Sequence, residues 1–346
     1  MQKIPLTREG YVDVGELLSH APPFLWLCGG RGTGKTFGAL ADVRYNNPRK
    51  FLLLRRTQQQ IDLIRKPAFN PFKAVDAVYK GSTAVVTEGK VAIFYEGELI
   101  DGEIKPTGSP IGYAAALSTI HNVRGVDLAD VEVIIYDEFI PEPHERPIKE
   151  EYTALLNALE TIGRNRELQG REPLRLVALS NSNMLGNPYF VGMGVIRVVD
   201  KMIKDRRELW TDVKRGLMIG LLWESPVSEA KAGTALYKLA GGSAFASMSL
   251  GNEFVGDVCT RQGTAPLQEL RPLARVGELV FYEHKFTREV YVLDHISGSP
   301  PYYAPDDTGL RRARRDLWEF WTLYLDNQLY FQDVLCEILF KKYFAG

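Results

Sequence analysis

The stretch "WLCGGRGTGKTFGAL", Trp26 to Leu40, decides the fold of this chain. Residues 29–36 read G-x-x-x-x-G-K-T, the full P-loop pattern. The apolar run before it and the helical pattern after it are the context in which such a loop turns its backbone N–H groups toward phosphates. We therefore predict a nucleotide site and not a chance glycine turn, formed by Gly29, Gly30, Arg31, Gly32, Thr33, Gly34, Lys35 and Thr36.

A second motif, "VEVIIYDEF" at 131–139, supplies the acids that a P-loop needs. Lys35 is expected to reach the β- and γ-phosphates of ATP, while Thr36 and Asp137 hold Mg²⁺. Glu138 follows at once and can polarise a water for attack on the γ-phosphate. An apolar run that ends in two acids is common by itself. Downstream of a P-loop, it indicates ATP hydrolysis that drives movement.

Hydrolysis also needs positive charge at the transition state. Arg31 lies within the loop and can act in cis. Arg164 and Arg166, in "GRNRE", are expected to be exposed, and an exposed arginine is usually just a solvated charge. Arg124 is a further candidate. Asn181 ends the run "LRLVALSN", where a sensor of the γ-phosphate and an ordinary turn fit equally well.

Short apolar runs separated by helical patterns predict an α/β fold, with a parallel sheet between layers of helices. The best helical pattern is Pro147–Arg164, and residues 83–97 read as a hairpin. The predicted buried strands are Phe24–Cys28, Phe51–Leu54, Val131–Tyr136 and Leu174–Leu179.

The second half of the chain has a different character. Glycine and serine become frequent after residue 208, and "GELVFYEHKFTREVYVLD" from residue 277 reads as two strands. Leu310–Phe344 reads as helical and rich in aromatic residues. We therefore predict three regions: an ATPase domain at 1–207, a connecting subdomain at 208–251 and a smaller α+β domain at 252–346.

Composition restricts the class of protein. The 346 residues carry a net charge of −1, so contacts to nucleic acid must come from local basic patches. Three scattered cysteines indicate reduced thiols and no disulfide framework. Because no apolar run approaches the roughly 20 residues needed to cross a bilayer, we expect a cytoplasmic protein without a membrane partner.

Six segments occur in an order that resembles the podovirus DNA encapsidation proteins, the phi29-like packaging ATPases. They are "GGRGTGKT", "FLLLRR", "IIYDEFIPE", "LLNALETIGRNRE", "LVALSNSNMLGNPYF" and "MSLGNEFVGD", and the resemblance covers roughly residues 24–257. The resemblance implies an ASCE-type P-loop ATPase domain and an RNase H-like domain without nuclease activity. It implies a ring, typically of five copies, at the portal vertex of a procapsid in the host cytoplasm, with double-stranded DNA as cargo. Whether a structural RNA is a further partner stays open at this point.

The resemblance also assigns roles to single residues. Arg164 falls on the arginine finger that acts on a neighbouring subunit, and Arg124 on a basic position that relatives can fill with lysine. Gln58 departs from the family, in which a lysine can stand two residues after "LLRR".

Two basic regions could contact DNA phosphates. One is a helix that carries Arg197, Lys201 and Lys204, which could equally be an ordinary solvated face. The densest basic cluster comprises Arg311, Arg312, Arg314 and Arg315. The candidate metal-binding acids of the last domain are Glu278, Glu283, Asp294, Asp306 and Asp307, and the first strand offers no aspartate, so we expect no nuclease activity.

Three alternatives remain at this point. One is a terminase that also cuts DNA. Another is a helicase or a P-loop kinase, although no clear substrate lid is visible. The third is a nucleotide-gated structural ring that binds DNA and procapsid without steady turnover.

Overall fold

The computed structural model describes residues 3–120, 128–141, 145, 148–181, 184–241, 243 and 259–345. The chain divides into two compact units. The first comprises residues 1–183, 187–192 and 202–255, and the second comprises residues 184–186, 193–201 and 256–346. None of the described helices is both long enough and apolar enough to span a bilayer.

The first unit contains a nine-stranded sheet in the order β3-β4-β5-β2-β6-β7-β1-β9-β8. Six neighbouring strands run parallel: β5, β2, β6, β7, β1 and β9. The strands at the two edges, β3 and β4 on one side and β8 on the other, pair antiparallel. The strands are β1 Phe24–Gly29, β2 Phe51–Arg55, β3 Thr83–Glu88, β4 Val91–Ile100, β5 Glu103–Ala116, β6 Val133–Asp137, β7 Arg175–Ser180, β8 Leu209–Asp212 and β9 Leu217–Leu222.

The strand order confirms the predicted α/β P-loop fold. β7 lies between the P-loop strand β1 and the acid-bearing strand β6. A strand inserted at this position is the feature of ASCE-type ATPases. The central strands are buried because they are apolar along most of their length, as in a parallel sheet covered on both faces. All four predicted strands and the hairpin of β3 and β4 are present.

The described residues outside the two sheets include twelve α-helices. The predicted helix at 147–164 is observed from Glu151 to Gly163, and Pro147 lies outside the described residues. The α-helices are Val14–His20, Lys35–Ala41, Gln58–Ile64, Lys73–Tyr79, Glu151–Gly163, Pro188–Met193, Ile196–Lys204, Ser228–Ala232, Ala235–Leu239, Asp307–Asp316, Trp318–Leu325 and Val334–Phe344. A π-helical turn, Asp42–Asn46, extends the helix after the P-loop.

The second unit has a mixed five-stranded sheet in the order β13-β10-β11-β12-β14. Its strands are β10 Leu270–Val276, β11 Leu279–His284, β12 Val290–Leu293, β13 Tyr302–Tyr303 and β14 Leu329–Phe331. The predicted pair of strands after residue 277 corresponds to β11 and β12. The segment from 310 is helical as expected, except that β14 interrupts it. The likeness of this second unit to RNase H-like domains stays a prediction.

The structure places the first border later than the sequence suggested. Residues 209–222, predicted as part of a connecting subdomain, form β8 and β9 of the large sheet. The reason is the uninterrupted apolar run Leu217–Leu222, which is buried beside β1 and completes the parallel layer.

Candidate functional site

The P-loop turns through two glycines with left-handed backbone. Gly32 has φ +90° and Gly34 has φ +87°, a conformation that other residues rarely adopt. A Cβ on Gly32 would lie 2.5 Å from Val227 Cγ2, and one on Gly34 would lie 2.9 Å from Tyr11 Cβ. Both the backbone angle and the close neighbours therefore require glycine at these positions.

Lys35 is buried inside this loop. Its Nζ donates to the carbonyl oxygens of Gly29 and Gly30, each at 2.9 Å, and to Thr33 Oγ1 at 3.0 Å. Burial lowers the pKa of Lys35 to about 8, although the neighbouring Cys28 and Asp137 act in the opposite direction. Loop oxygens thus take the place that phosphate oxygens would occupy around the ammonium group.

Two oxygen donors meet beside the loop. Thr36 Oγ1 donates to Asp137 Oδ1 at 3.1 Å, and Asp137 is only 5% exposed. A hydroxyl and a carboxylate are the hard oxygen ligands that Mg²⁺ prefers, with further positions filled by water and phosphate. Thr36 and Asp137 therefore fit the predicted metal. No group of three or more His, Cys, Asp or Glu side chains suited to a metal occurs within the described part of the chain.

Arg55 binds both acids at the end of β6. Its Nη2 lies 2.9 Å from Asp137 Oδ2, and its Nη1 lies 2.7 Å from Glu138 Oε2. Gln60 Nε2 also donates to Glu138 Oε2 at 3.3 Å, and the Glu138 side chain is 53% exposed. Arg55 belongs to no local motif that predicts this contact, although the strand that ends in "FLLLRR" is evident in the sequence.

The P-loop residues and the two acids Asp137 and Glu138 line one pocket of about 330 Å³ at the carboxyl ends of the parallel strands. Asn181, the predicted sensor candidate, lines it, while the neighbouring Ser180 Oγ accepts from the Ile140 N–H at 3.1 Å. The pocket is lined by Arg31, Gly32, Thr33, Gly34, Lys35, Thr36, Phe37, Asp137, Glu138, Ser180 and Asn181.

A second cavity of about 570 Å³ adjoins the other side of the loop at Gly32 and Gly34. Aromatic rings of Tyr11, Phe37 and Tyr79 line it. The N-terminal segment is fixed there because Val12 N–H donates to the Thr33 carbonyl at 2.9 Å. No sequence motif had indicated a role for this segment.

The four candidate arginines have different surroundings. Arg31 is exposed and lines the phosphate pocket. Arg164 is exposed in left-handed backbone directly after the helix Glu151–Gly163. The expectation that Arg166 is exposed is wrong: it is 6% exposed and donates Nη1 to the Val131 carbonyl at 2.6 Å. Its short 3₁₀ turn folds it inward. Arg124 lies outside the described residues.

A buried ionic cluster lies behind the site. Arg56, next to Arg55, pairs its Nε with Glu151 Oε1 at 2.7 Å, and both side chains are inaccessible to solvent. Tyr189 Oη also donates to Glu151 Oε1 at 2.9 Å, and Arg56 Nη1 lies 2.6 Å from Glu145 Oε2. The cluster joins the end of β2 to the first turn of the helix that Arg164 follows.

In the second unit, several of the basic side chains that could contact DNA, and several of the candidate metal-binding carboxylates, already have partners within the chain. Arg197 lies 2.5 Å from Asp294 Oδ2 and 2.6 Å from Asp333 Oδ2, so two carboxylates balance its charge. Glu278 Oε2 accepts from Tyr343 Oη at 3.1 Å. Arg314 Nε donates to the Tyr343 carbonyl at 2.7 Å. In the first unit, Gln58 Nε2 donates to Asp62 Oδ1 and to the Lys90 carbonyl, each at 3.1 Å.

The family profile described as podovirus DNA encapsidation protein (Gp16) matches residues 7–262. This range contains every catalytic and nucleotide-binding residue assigned above. The chain belongs to that family.

Individual relatives agree with this assignment. The DNA packaging protein of Bacillus phage phi29 is 27% identical over 248 residues, which cover 70% of this chain and 65% of that protein. The DNA packaging protein of Bacillus phage B103 is 32% identical over 151 residues, or 43% of each chain. The chain thus matches just under two thirds of the phi29 relative's length.

Two solved structures share the fold. "The Phi-28 gp11 DNA packaging Motor" has a TM-score of 0.62 at 20% identity and covers 97% of each chain. "The bacteriophage Phi-29 viral genome packaging motor assembly" has a TM-score of 0.63 at 17% identity and covers 96% of this chain and 99% of that one.

Proposed function

We propose that this chain is an ATP-hydrolysing motor that moves double-stranded viral DNA into a preformed procapsid. The observation that carries the proposal is the convergence of the P-loop, the Thr36–Asp137 pair and Glu138 on one pocket at the strand ends. The family membership supports packaging as the work that hydrolysis drives.

The loop residues bind and orient the triphosphate. Backbone N–H groups of the loop and the helix beginning at Lys35 face the anion, and the Lys35 ammonium exchanges its loop carbonyl partners for phosphate oxygens. Thr36 and Asp137 would hold Mg²⁺, which neutralises phosphate charge when bound. The cavity lined by Tyr11, Phe37 and Tyr79 is the proposed site of the base, since aromatic rings can stack on it.

Glu138 is the proposed base. Its carboxylate lies at the mouth of the pocket and takes a proton from the attacking water. Arg31 supplies charge to the developing transition state within its own subunit, and Arg164 supplies it to the site of a neighbouring subunit. Asn181, which lines the same pocket, is the proposed contact to the γ-phosphate.

The proposed partners are double-stranded DNA, the portal protein of the procapsid, and further copies of this chain in a ring, with five copies and an adaptor RNA as the family-based expectation. The chain would act in the host cytoplasm, attached transiently to the procapsid.

The test is ATP turnover measured with and without double-stranded DNA and procapsids. We expect both to stimulate turnover of the wild-type chain. Glu138→Gln should retain binding of an ATP analogue and lose roughly a hundredfold or more of kcat. Turnover that both additions leave unchanged, or that Glu138→Gln retains in full, would contradict the proposal.

A further inference from the structure

The chain that leaves β9 turns back over the outside of the phosphate loop. β9 ends at Leu222, which lies opposite Gly29 in the parallel register with β1. The two chains therefore emerge side by side at the same edge of the sheet, one into the phosphate loop and the other into residues 223–231. The short helix Ser228–Ala232 follows, and its side chains are close enough to contact the loop.

Two side chains of this segment bind carbonyl groups of the phosphate loop. Ser225 Oγ donates to the Gly32 carbonyl at 2.9 Å, and Lys231 Nζ donates to the Arg31 carbonyl at 2.6 Å. Ser225 is only 8% exposed, so water has little access to its contact. Among the residues that the structure describes, Lys231 pairs with no carboxylate, so the loop carbonyl is the partner of its ammonium group.

The other carbonyls of the loop have different partners. Those of Gly29 and Gly30 accept from the Lys35 ammonium inside the loop, and that of Thr33 accepts from the Val12 N–H. The contacts of Lys35 are the ones that phosphate oxygens would replace. The contacts made from outside the loop compete with no phosphate, so they can persist while a nucleotide is bound.

The outer contacts fix the direction of the inner N–H groups. In a planar trans peptide the N–H points away from the C=O. Because donors outside the loop hold the carbonyls of Arg31 and Gly32, the N–H groups of the same two peptide units, those of Gly32 and Thr33, point to the other side. Gly32 and Thr33 line the phosphate pocket on that side. A row of inward N–H groups is what binds phosphate oxygens in a P-loop.

We propose that Ser225 and Lys231 are positioning residues of the nucleotide site, which hold two peptide units of the loop in the orientation that binds the β-phosphate. They act through the loop backbone and not by contact with the nucleotide. Ser225 lies 193 residues after Gly32, so the phosphate-loop motif contains neither residue. The inference rests on the proposed function for the identity of the ligand, and it adds a second segment of the chain to the site.

Calorimetric titration of the full-length chain with Mg²⁺-ADP tests the role of Lys231. Lys231→Met keeps the aliphatic stem and removes the donor, so its affinity should fall by roughly tenfold, as for a lost hydrogen bond from a charged donor. Lys231→Arg keeps both the charge and the donors and should recover most of that affinity. Lys238→Met, at an exposed lysine of the next helix, Ala235–Leu239, is the matched control and should bind like the wild type.

Ser225→Ala removes the other outer donor. Its affinity for Mg²⁺-ADP should fall by roughly threefold to tenfold, since the lost hydrogen bond comes from a neutral hydroxyl. This variant tests the inference independently of any effect of the Lys231 charge. Affinity equal to that of the wild type would mean that the Gly32 peptide keeps its orientation without Ser225, which contradicts the role of this residue.

Steady-state kinetics with double-stranded DNA and procapsids separates positioning from packing. The loop holds the β-phosphate in the ground state and in the transition state alike, so Lys231→Met should raise KM for ATP while kcat changes by less than about threefold. Thermal melting of the nucleotide-free chain should not distinguish Lys231→Met from the Lys238→Met control. A packing role of the stem predicts the reverse, because methionine keeps the stem.

The inference is wrong if Lys231→Met binds Mg²⁺-ADP as tightly as the wild type, if Lys231→Arg recovers no affinity, or if the loss appears in kcat alone. ATP turnover by the wild type is a separate readout. Weaker ADP binding by Lys231→Met, in a chain whose wild type binds ADP without turning over ATP, contradicts the proposed motor alone. Unchanged affinity of Lys231→Met, in a chain that turns over ATP, contradicts the positioning role alone.

Discussion

Arg55 and Glu138 form an ion pair across two neighbouring strands, with Nη1 2.7 Å from Oε2. The same guanidinium holds Asp137, the proposed metal ligand, with Nη2 2.9 Å from Oδ2. One guanidinium thus holds both the proposed metal ligand and the proposed base at the end of β6.

Replacing Arg55 by Met should destabilise the nucleotide-free chain by about 1–3 kcal/mol, because Asp137 stays buried without its strongest partner. The loss should be smaller with Mg²⁺-ADP, since bound metal then offsets the carboxylate charge. Urea unfolding with and without ligand measures both values. Arg55→Lys, which keeps one charge, should be intermediate, and an equal loss in both conditions would contradict the assignment of Asp137 to the metal.

Nucleotide affinity should fall as pH rises above about 8, because binding needs the charged ammonium of Lys35, whose pKa is lowered to about 8. Folding stability should change in the opposite direction. Between about pH 8 and the ordinary pKa of 10.5, Lys35 binds more protons in the unfolded chain than in the folded chain. The contribution of Lys35 to the free energy of unfolding therefore rises with pH in that range.

The predicted fall in nucleotide affinity can be checked by calorimetry of ATP-analogue binding in buffers of different ionisation enthalpy. Proton uptake on binding should appear above pH 8. Lys35→Met binds weakly and should show no such uptake. A wild-type affinity that is constant up to pH 10 would show that the amine keeps its charge in the free chain.

Arg164→Ala should bind an ATP analogue almost normally and lose roughly a hundredfold or more of turnover, because the missing charge acts only on the transition state. Mixing it with Glu138→Gln chains should restore part of the activity at interfaces that join an intact Glu138 to an intact Arg164. If neither the loss nor the rescue is seen, Arg31 is the remaining described candidate that faces a pocket.

Arg56→Met should destabilise the chain by about 3–5 kcal/mol, because it leaves Glu151 charged and buried. Adding Glu151→Gln should recover much of that loss, and denaturant unfolding of the two single variants and the double variant gives the coupling energy. If the stability losses of the two single variants simply add in the double variant, the coupling energy between Arg56 and Glu151 is zero.

Tyr11→Ala should weaken binding of an ATP analogue by roughly threefold to tenfold through the loss of an aromatic contact to the base. The value of kcat should change little, because Tyr11 lies on the far side of the loop from Glu138. Tyr11→Phe keeps the ring and should bind like the wild type, and an equal effect of Ala and Phe would place the base elsewhere.

The extent to which the sequence predicts this site depends on how local each feature is. The glycines, lysine and threonine that form the phosphate loop all lie within residues 29–36, so the sequence alone predicts the loop. Arg55 reaches Glu138 only because β2 is the neighbour of β6, and Tyr11 reaches the loop only because the N-terminal segment folds back. Such pairings depend on strand order, which no local pattern contains.

Two local patterns were misleading for physical reasons. "GRNRE" is polar throughout, yet a 3₁₀ turn buries Arg166 against a backbone carbonyl. The glycine- and serine-rich composition after residue 208 concealed Leu217–Leu222, whose apolar run has the length and burial of a central strand.

The described thiols have a practical consequence for labelling. Cys28 and Cys336 are buried and Cys259 is half-buried, and desolvation raises the pKa of Cys28 and of Cys259 to about 12. Thiolates are the reactive species, so native cysteines should react slowly with maleimides near neutral pH. A cysteine introduced at an exposed position could therefore carry a fluorophore selectively without prior removal of the native three.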